Sequence, residues 1–164
     1  MKRFRLALIL AVAVVSLDQF TKWLVTSNLQ VDQFVYPIPA LSGALALNYV
    51  TNTGVAFGLF KDANTFFVVV MLIVIGLLLR YIWVMPQEER LARVALGLLF
   101  GGAIGNLIDR LRLGHVIDFV AVGAFPRFNV ADSAVSIGVT LLALAWWLDH
   151  RRSPPADETM HAGQ

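Results

Sequence analysis

TFFVVVMLIVIGLLLRYIWVM, residues 65–85, carries a single charge, Arg80, in a run that is otherwise almost entirely hydrocarbon and aromatic ring. A helix needs about 20 apolar residues to cross about 30 Å of bilayer hydrocarbon, and this stretch supplies them. Three more runs meet the same requirement, at about 6–25, 91–111 and 130–148. The chain as a whole agrees: of 164 residues 58% are hydrophobic and only 15% charged, and the mean hydropathy is +0.71. Soluble domains sit nearer half apolar and a quarter charged. Lipid offers no partner for a bare backbone amide, so the four runs are expected to be helices rather than open strands. The expected fold is an all-α membrane protein with four transmembrane helices and a small extracytoplasmic β-rich subdomain built from the first outer loop. Residues 1–149 form one integral membrane domain, and 150–164, polar and proline-bearing, read as a disordered cytoplasmic tail.

The net charge of +2 and the absence of any long Lys/Arg run exclude a nucleic-acid partner. With no cysteine there is no disulfide, thiolate metal site or cysteine nucleophile. The opening MKRFRLALILAVAVVS has the shape of a signal peptide. It runs on into LDQFTKW at helical spacing, however, and Asp18 and Lys22 stand four apart where they can pair, so it reads as an uncleaved span. Lys2, Arg3, Arg5, Arg80, Arg90, Arg93, Arg151 and Arg152 all fall on one side of a four-span topology. That places both termini in the cytoplasm and the loops at about 26–64 and 112–129 outside. Trp23, Trp83, Trp146 and Trp147 lie near span ends, as interfacial aromatics do.

The first outer loop, VDQFVYPIPALSGALALNYVTNTGVAFGLF, is too apolar to float in water. Alternation in ALALNYVT predicts a short strand, and the loop is expected to lie on the membrane surface as a small sheet. Its composition alone favours a structural cover.

Polar residues inside spans are costly and mark function. Asn106, Asp109 and Arg110 recur at helical spacing at the outer end of the third span, beside Gly101, Gly102 and Gly105, which leave room for close helix approach. Taken alone, a membrane-edge ion pair between Asp109 and Arg110 that pins the helix end accounts for them slightly better than a site does. Two aspartates are harder to dismiss. Asp118 sits among apolar residues in VIDFVAV, a segment that reads as a strand. Asp132 opens the fourth span in NVADSAVS, three after Asn129, where helix capping also explains it. One hairpin joins them, so both lie at the same outer depth. Two carboxyls close together in a partly dry site share a proton, leaving one base and one acid. That is equipment for directing water at an amide carbonyl. No GxSxG, HExxH or histidine pair offers another hydrolytic route; His115 stands alone near the site, and His150 and His161 lie in the basic flank and the tail.

Five blocks in order, LDQFTK (17–22), NTGVAF (52–57), GGAIGNLIDR (101–110), GHVIDF (114–119) and FNVADS (128–133), resemble the motifs of type II, or lipoprotein, signal peptidase. The resemblance implies a bacterial inner-membrane aspartic endopeptidase that uses no metal or organic cofactor. Such an enzyme removes the signal peptide from a diacylglyceryl-modified prolipoprotein, just before the lipidated cysteine. It implies Asp118 and Asp132 as the catalytic pair, with Asp18, Lys22, Asn52, Gly54, Gly102, Asn106, Asp109, Arg110 and Asn129 as supporting positions. It also implies an active site near the periplasmic face, membrane lipid and prolipoprotein as partners, and globomycin-type inhibitors; a monomer is the default. Asn52, Asn129 and Arg110 are expected to orient the substrate and the aspartates, and Asp18 and Lys22 to brace the bundle. Two other classes compete on composition: a proton-coupled carrier, against which the one-sided acids and the lack of an inverted repeat argue, and a non-catalytic scaffold.

Overall fold

In the first helix the small and polar residues face inward and the large apolar ones outward. Ala7, Ala11, Asp18, Lys22 and Val25 are buried and recur at helical spacing, while Leu8, Ile9, Val12, Leu17, Phe20 and Trp23 are exposed. Lipid-facing surface can be as apolar as a core, so close packing and polar contacts hold such a helix in place. The computed structural model describes residues 2–54, 64–85 and 89–152. In chain order these form α1 (Lys2–Asn28), β1 (Phe34–Val35), a 3-10 turn (Pro39–Leu41), β2 (Leu45–Asn52), α2 (Asn64–Val84), α3 (Arg90–Leu113), β3 (Val116–Val122) and α4 (Val130–Arg152). All four α-helices are long and apolar enough to cross a membrane.

The helices extend the expected spans at both ends of α1 and at the end of α4. Residues 150–152, expected to begin the tail, are therefore helical. The rest of the tail, 153–164, lies outside the described residues, as do residues 55–57 of the NTGVAF block.

α3 is the central helix, packed by α1, α2 and α4. Adjacent glycines make this possible by facing different neighbours. A Cβ on Gly101 would fall 2.9 Å from the Ala11 carbonyl oxygen of α1, and one on Gly102 would fall 2.5 Å from the Ala131 carbonyl oxygen of α4. Both backbones approach closer than any larger side chain would permit. The apolar core is split. One cluster joins Ala7, Ile82, Met85, Ala92, Leu96 and Leu99; the other joins Val25, Ile117 and Phe119 where helices meet the sheet. Along α1, Asp18 and Lys22 lie between the two.

The sheet has three antiparallel strands in the order β1-β2-β3. Strand β2 confirms the alternation read in ALALNYVT. One correction concerns origin: the sheet is not made from the first loop alone, because β3 comes from the segment between α3 and α4. The register of β2 on β3 also shifts. Leu47 stands opposite Val120, but Val50, and not Tyr49 two residues on from Leu47, stands opposite Asp118. One extra residue on β2 makes a bulge there. Side chains alternate across a sheet, so a one-residue slip moves everything beyond it to the other face. The slip puts Asn52 opposite Val116, on the face that also carries Asp118. Without it Asn52 would point away.

Candidate active site

β3 ends in a turn through Gly123, whose φ of +48° suits glycine. The chain then returns so that Phe128 bridges to Val120, donating to its carbonyl at 3.2 Å and accepting from its N–H at 2.8 Å. This return sets the next residue, Asn129, beside Asp118 at the start of α4. Asn129 is fully buried and holds both aspartates. Its Nδ2 donates to Asp118 Oδ1 at 2.7 Å, and its backbone N–H donates to Asp132 Oδ2 at 3.1 Å. Its Oδ1 accepts from the backbone N–H of Asp132 at 2.9 Å. Asn129 and Asp132 thus form a reciprocal helix cap, so the capping expected of this pair coexists with its place beside Asp118.

Two further carboxamides complete the surround. Asn52 Nδ2 donates to Asp118 Oδ2 at 2.8 Å, and Asn106 Nδ2 donates to Asp132 Oδ1 at 2.8 Å. Each carboxyl oxygen of the pair therefore receives an N–H. Asp118 is only 2% exposed. Burial pushes its carboxyl up to about 6 from an ordinary value of 3.8, and the neighbouring charge of Asp132 adds to this; the donors Asn52 and Asn129 and the positive charge of Lys22 oppose it. At neutral pH such a group exchanges a proton readily.

Beneath the pair lies a buried polar layer. Lys22 Nζ reaches Asp18 Oδ2 at 2.8 Å, Asp109 Oδ2 at 2.8 Å and Asn106 Oδ1 at 3.0 Å. Asp18 Oδ1 accepts from the Ala131 N–H at 3.0 Å, tying α1 to the first turn of α4. Asp109 Oδ2 accepts from the Ile117 N–H at 3.1 Å, tying α3 to β3. The membrane-edge pair considered for Asp109 and Arg110 does not form: Asp109 turns inward to Lys22. Arg110 turns to α2, with Nη1 3.5 Å from Asn64 Oδ1 and its guanidinium 4.6 Å from the Phe67 ring centroid. Its Nε is buried and meets no acceptor among the described residues.

The structure thus gathers Asp18, Lys22, Asn52, Asn106, Asp109, Asp118, Asn129 and Asp132 into one hydrogen-bonded assembly, with Arg110 at its edge. Gly102 acts through packing, as above. Gly54 has φ +133°, and a Cβ there would collide with the Phe67 ring; its N–H donates to Asn52 Oδ1 at 3.0 Å. Three participants escaped the sequence reading. Gln19 Nε2 donates to Asp109 Oδ1 at 2.9 Å and to the Gly105 carbonyl at 3.2 Å; it lies inside LDQFTK, where its polarity within a span was the signal. Asn64 and Phe67 open α2, and only Asn64, a polar residue just before an apolar run, carried any hint. Among the described residues no cluster of His, Cys, Asp and Glu is arranged to hold a metal ion.

A family model described as signal peptidase (SPase) II matches residues 10–148. A lipoprotein signal peptidase of Shouchella clausii is 44% identical over 140 residues, covering 85% of this chain and 91% of that protein. One of Symbiobacterium thermophilum is 42% identical over 151 residues, covering 90% and 97%. A solved bacterial membrane enzyme, determined in meso at 2.3 Å, superposes with a TM-score of 0.82 at 32% identity, covering 91% of this chain and 92% of its own.

Proposed function

This chain belongs to the signal peptidase II family of proteases, and on that premise we propose that it cuts diacylglyceryl-modified prolipoproteins just before the lipidated cysteine, using Asp118 and Asp132 to activate water. Membership in a protease family removes the carrier and scaffold alternatives. Four apolar helices together with that family fit a multi-pass protein of the bacterial inner membrane. The observation that carries the proposed mechanism is the bridge made by Asn129, which holds one oxygen of each aspartate through its own side chain and backbone.

In the proposed reaction one carboxylate takes a proton from water as its oxygen attacks the scissile carbonyl carbon. The other, protonated, carboxyl gives its proton to the departing nitrogen as the C–N bond breaks. Every hydrogen bond on the two carboxyls described above comes from an N–H, so the proton they share is free to move toward water or substrate rather than into the protein. Asn52, at the exposed end of β2, is suited to a substrate backbone, as is Arg110, whose buried Nε has no partner among the described residues. The distribution of lysine and arginine supports an orientation with both termini in the cytoplasm and the aspartates near the periplasmic face. Phe34, Tyr36, Ile38, Leu41 and Phe125 leave the sheet region with exposed apolar surface, which suits a sheet resting on lipid while the diacylglyceryl chains stay in the bilayer. The protein acts as a monomer with no metal or organic cofactor, and cyclic peptides of the globomycin type compete for the site.

The test is cleavage by purified protein in detergent. A prolipoprotein with and without its diacylglyceryl group is offered, and the products are mapped by mass spectrometry. A single cut before the modified cysteine, with the unmodified precursor left intact, is expected. Equal cleavage of both forms, or a cut elsewhere, overturns the proposal.

A further inference from the structure

The three carboxamides around the aspartates share a property. Each presents its nitrogen to a carboxyl and its oxygen to a group that can only donate. Asn52 Oδ1 faces the Gly54 N–H at 3.0 Å, and Asn129 Oδ1 faces the Asp132 N–H at 2.9 Å. For Asn106 the donor is the ammonium of Lys22, at 3.0 Å from Oδ1, with Asn129 Nδ2 adding a second contact at 3.1 Å. An ammonium has three donors and no acceptor. Those of Lys22 are directed at Asp18, Asp109 and Asn106, and its side chain is 2% exposed, so water does not stand in for any of them.

We propose that Lys22 is a positioning residue of the cleavage reaction, locking the carboxamide of Asn106 so that only its amide nitrogen meets Asp132. This rests on the reading of Asp118 and Asp132 as the catalytic pair. The lock matters when Asp132 carries a proton. A free asparagine would then rotate its amide and accept that proton on Oδ1, burying it in a hydrogen bond that leads nowhere. With Lys22 in place that rotation would bring an NH2 against an NH3+ in a buried site, where such opposition is costly. Asp132 Oδ1 is thereby reserved as an acceptor, and its proton is directed to the substrate side. Lys22 touches no reacting atom in this scheme. Ion pairing with Asp18 and Asp109 accounts for helix bracing, but not for the third contact, on Asn106.

The experiment compares kcat, KM and thermal unfolding in detergent for Lys22→Met, Asn106→Ala and the double variant, with Asp118→Asn and Asp132→Asn alongside. Removing Lys22 leaves two acids without their cation, so Lys22→Met/Asp109→Asn, which deletes one charge of each sign, serves wherever the single variant fails to fold. A hydrogen bond to a charged group corresponds to a rate loss of about ten- to a hundredfold. That loss is expected in kcat for the Lys22 variants, with KM changed by less than about twofold because substrate is not touched. In the Asn106→Ala background, removal of Lys22 is expected to lower kcat no further, since both act through one amide. A folded Lys22 variant with normal kcat, or losses that multiply in the double variant, overturns the proposal. Cleavage surviving in either Asp→Asn variant overturns instead the reading on which it stands.

Discussion

Asn129 does two jobs that substitution can separate. As the N-cap of α4 it satisfies the Asp132 N–H at 2.9 Å, and as an amide donor it holds Asp118 at 2.7 Å. Serine keeps the first job, since its hydroxyl oxygen is a good helix cap, but has no second group to give to Asp118; alanine keeps neither. Loss of a cap costs about 1 kcal/mol, and loss of a hydrogen bond to a charged group about 1.5–3 kcal/mol. Asn129→Ala should therefore destabilise by roughly 2–4 kcal/mol and Asn129→Ser by about 1 kcal/mol less. Both should lose activity equally, because the donor to Asp118 is gone in each. The same donor favours the ionised form of Asp118, so its removal raises the proton affinity of that carboxyl. Under the proposed mechanism the limb of the kcat/KM profile set by Asp118 is expected near pH 6 in the native protein and should move up by about one unit in both variants. Thermal unfolding in detergent and a pH series of prolipoprotein cleavage measure the two effects. An Asn129→Ser protein with native kcat/KM, or with an unmoved limb, refutes the assignment of Asn129 as the support of Asp118.

Three further outcomes follow from the geometry. Gly54→Ala puts a side chain at φ +133° and against the Phe67 ring that covers Arg110; it should lower cleavage by about tenfold through misplacement and destabilise by about 1–3 kcal/mol through backbone strain, read as a lowered unfolding midpoint. Gly102→Ala forces α4 away at Ala131, the residue before Asp132; a loss of about 1–3 kcal/mol in unfolding free energy together with reduced kcat is expected. Asp118 binds its proton more tightly folded than unfolded, so its contribution to stability is complete below about pH 4 and lost as pH rises through about 6. This amounts to about 3 kcal/mol, and Asp118→Asn should show correspondingly less fall in unfolding temperature between pH 4.5 and 7.5 than the native protein.

The four spans were legible because lipid demands long apolar runs, which leave an unmistakable mark on composition. The strand at Leu45–Asn52 was legible because alternation survives wherever one face is buried. The five motif blocks marked the residues that the fold then gathers, but not how they meet. The bulge that turns Asn52 toward Asp118 leaves no trace in local propensity; it is a matter of register between strands more than sixty residues apart in the chain. The inward turn of Asp109 was hidden for a related reason. Arg110 is its neighbour in sequence, whereas Lys22 is its neighbour only after α1 packs on α3. Likewise no lysine stands beside Asp118 or Asp132 in the sequence, yet the charge of Lys22 reaches both the layer beneath them and Asp118 itself.

The most direct test is a single-turnover measurement with the protein in excess over a diacylglyceryl-modified prolipoprotein, run for the native chain, Asp118→Asn and Asp132→Asn, each first shown to be folded by its unfolding curve. Paired carboxyls that divide one proton transfer between them fail together, so each variant is predicted to lose cleavage by at least about a thousandfold. A folded variant of either kind that cuts at the native rate contradicts the account.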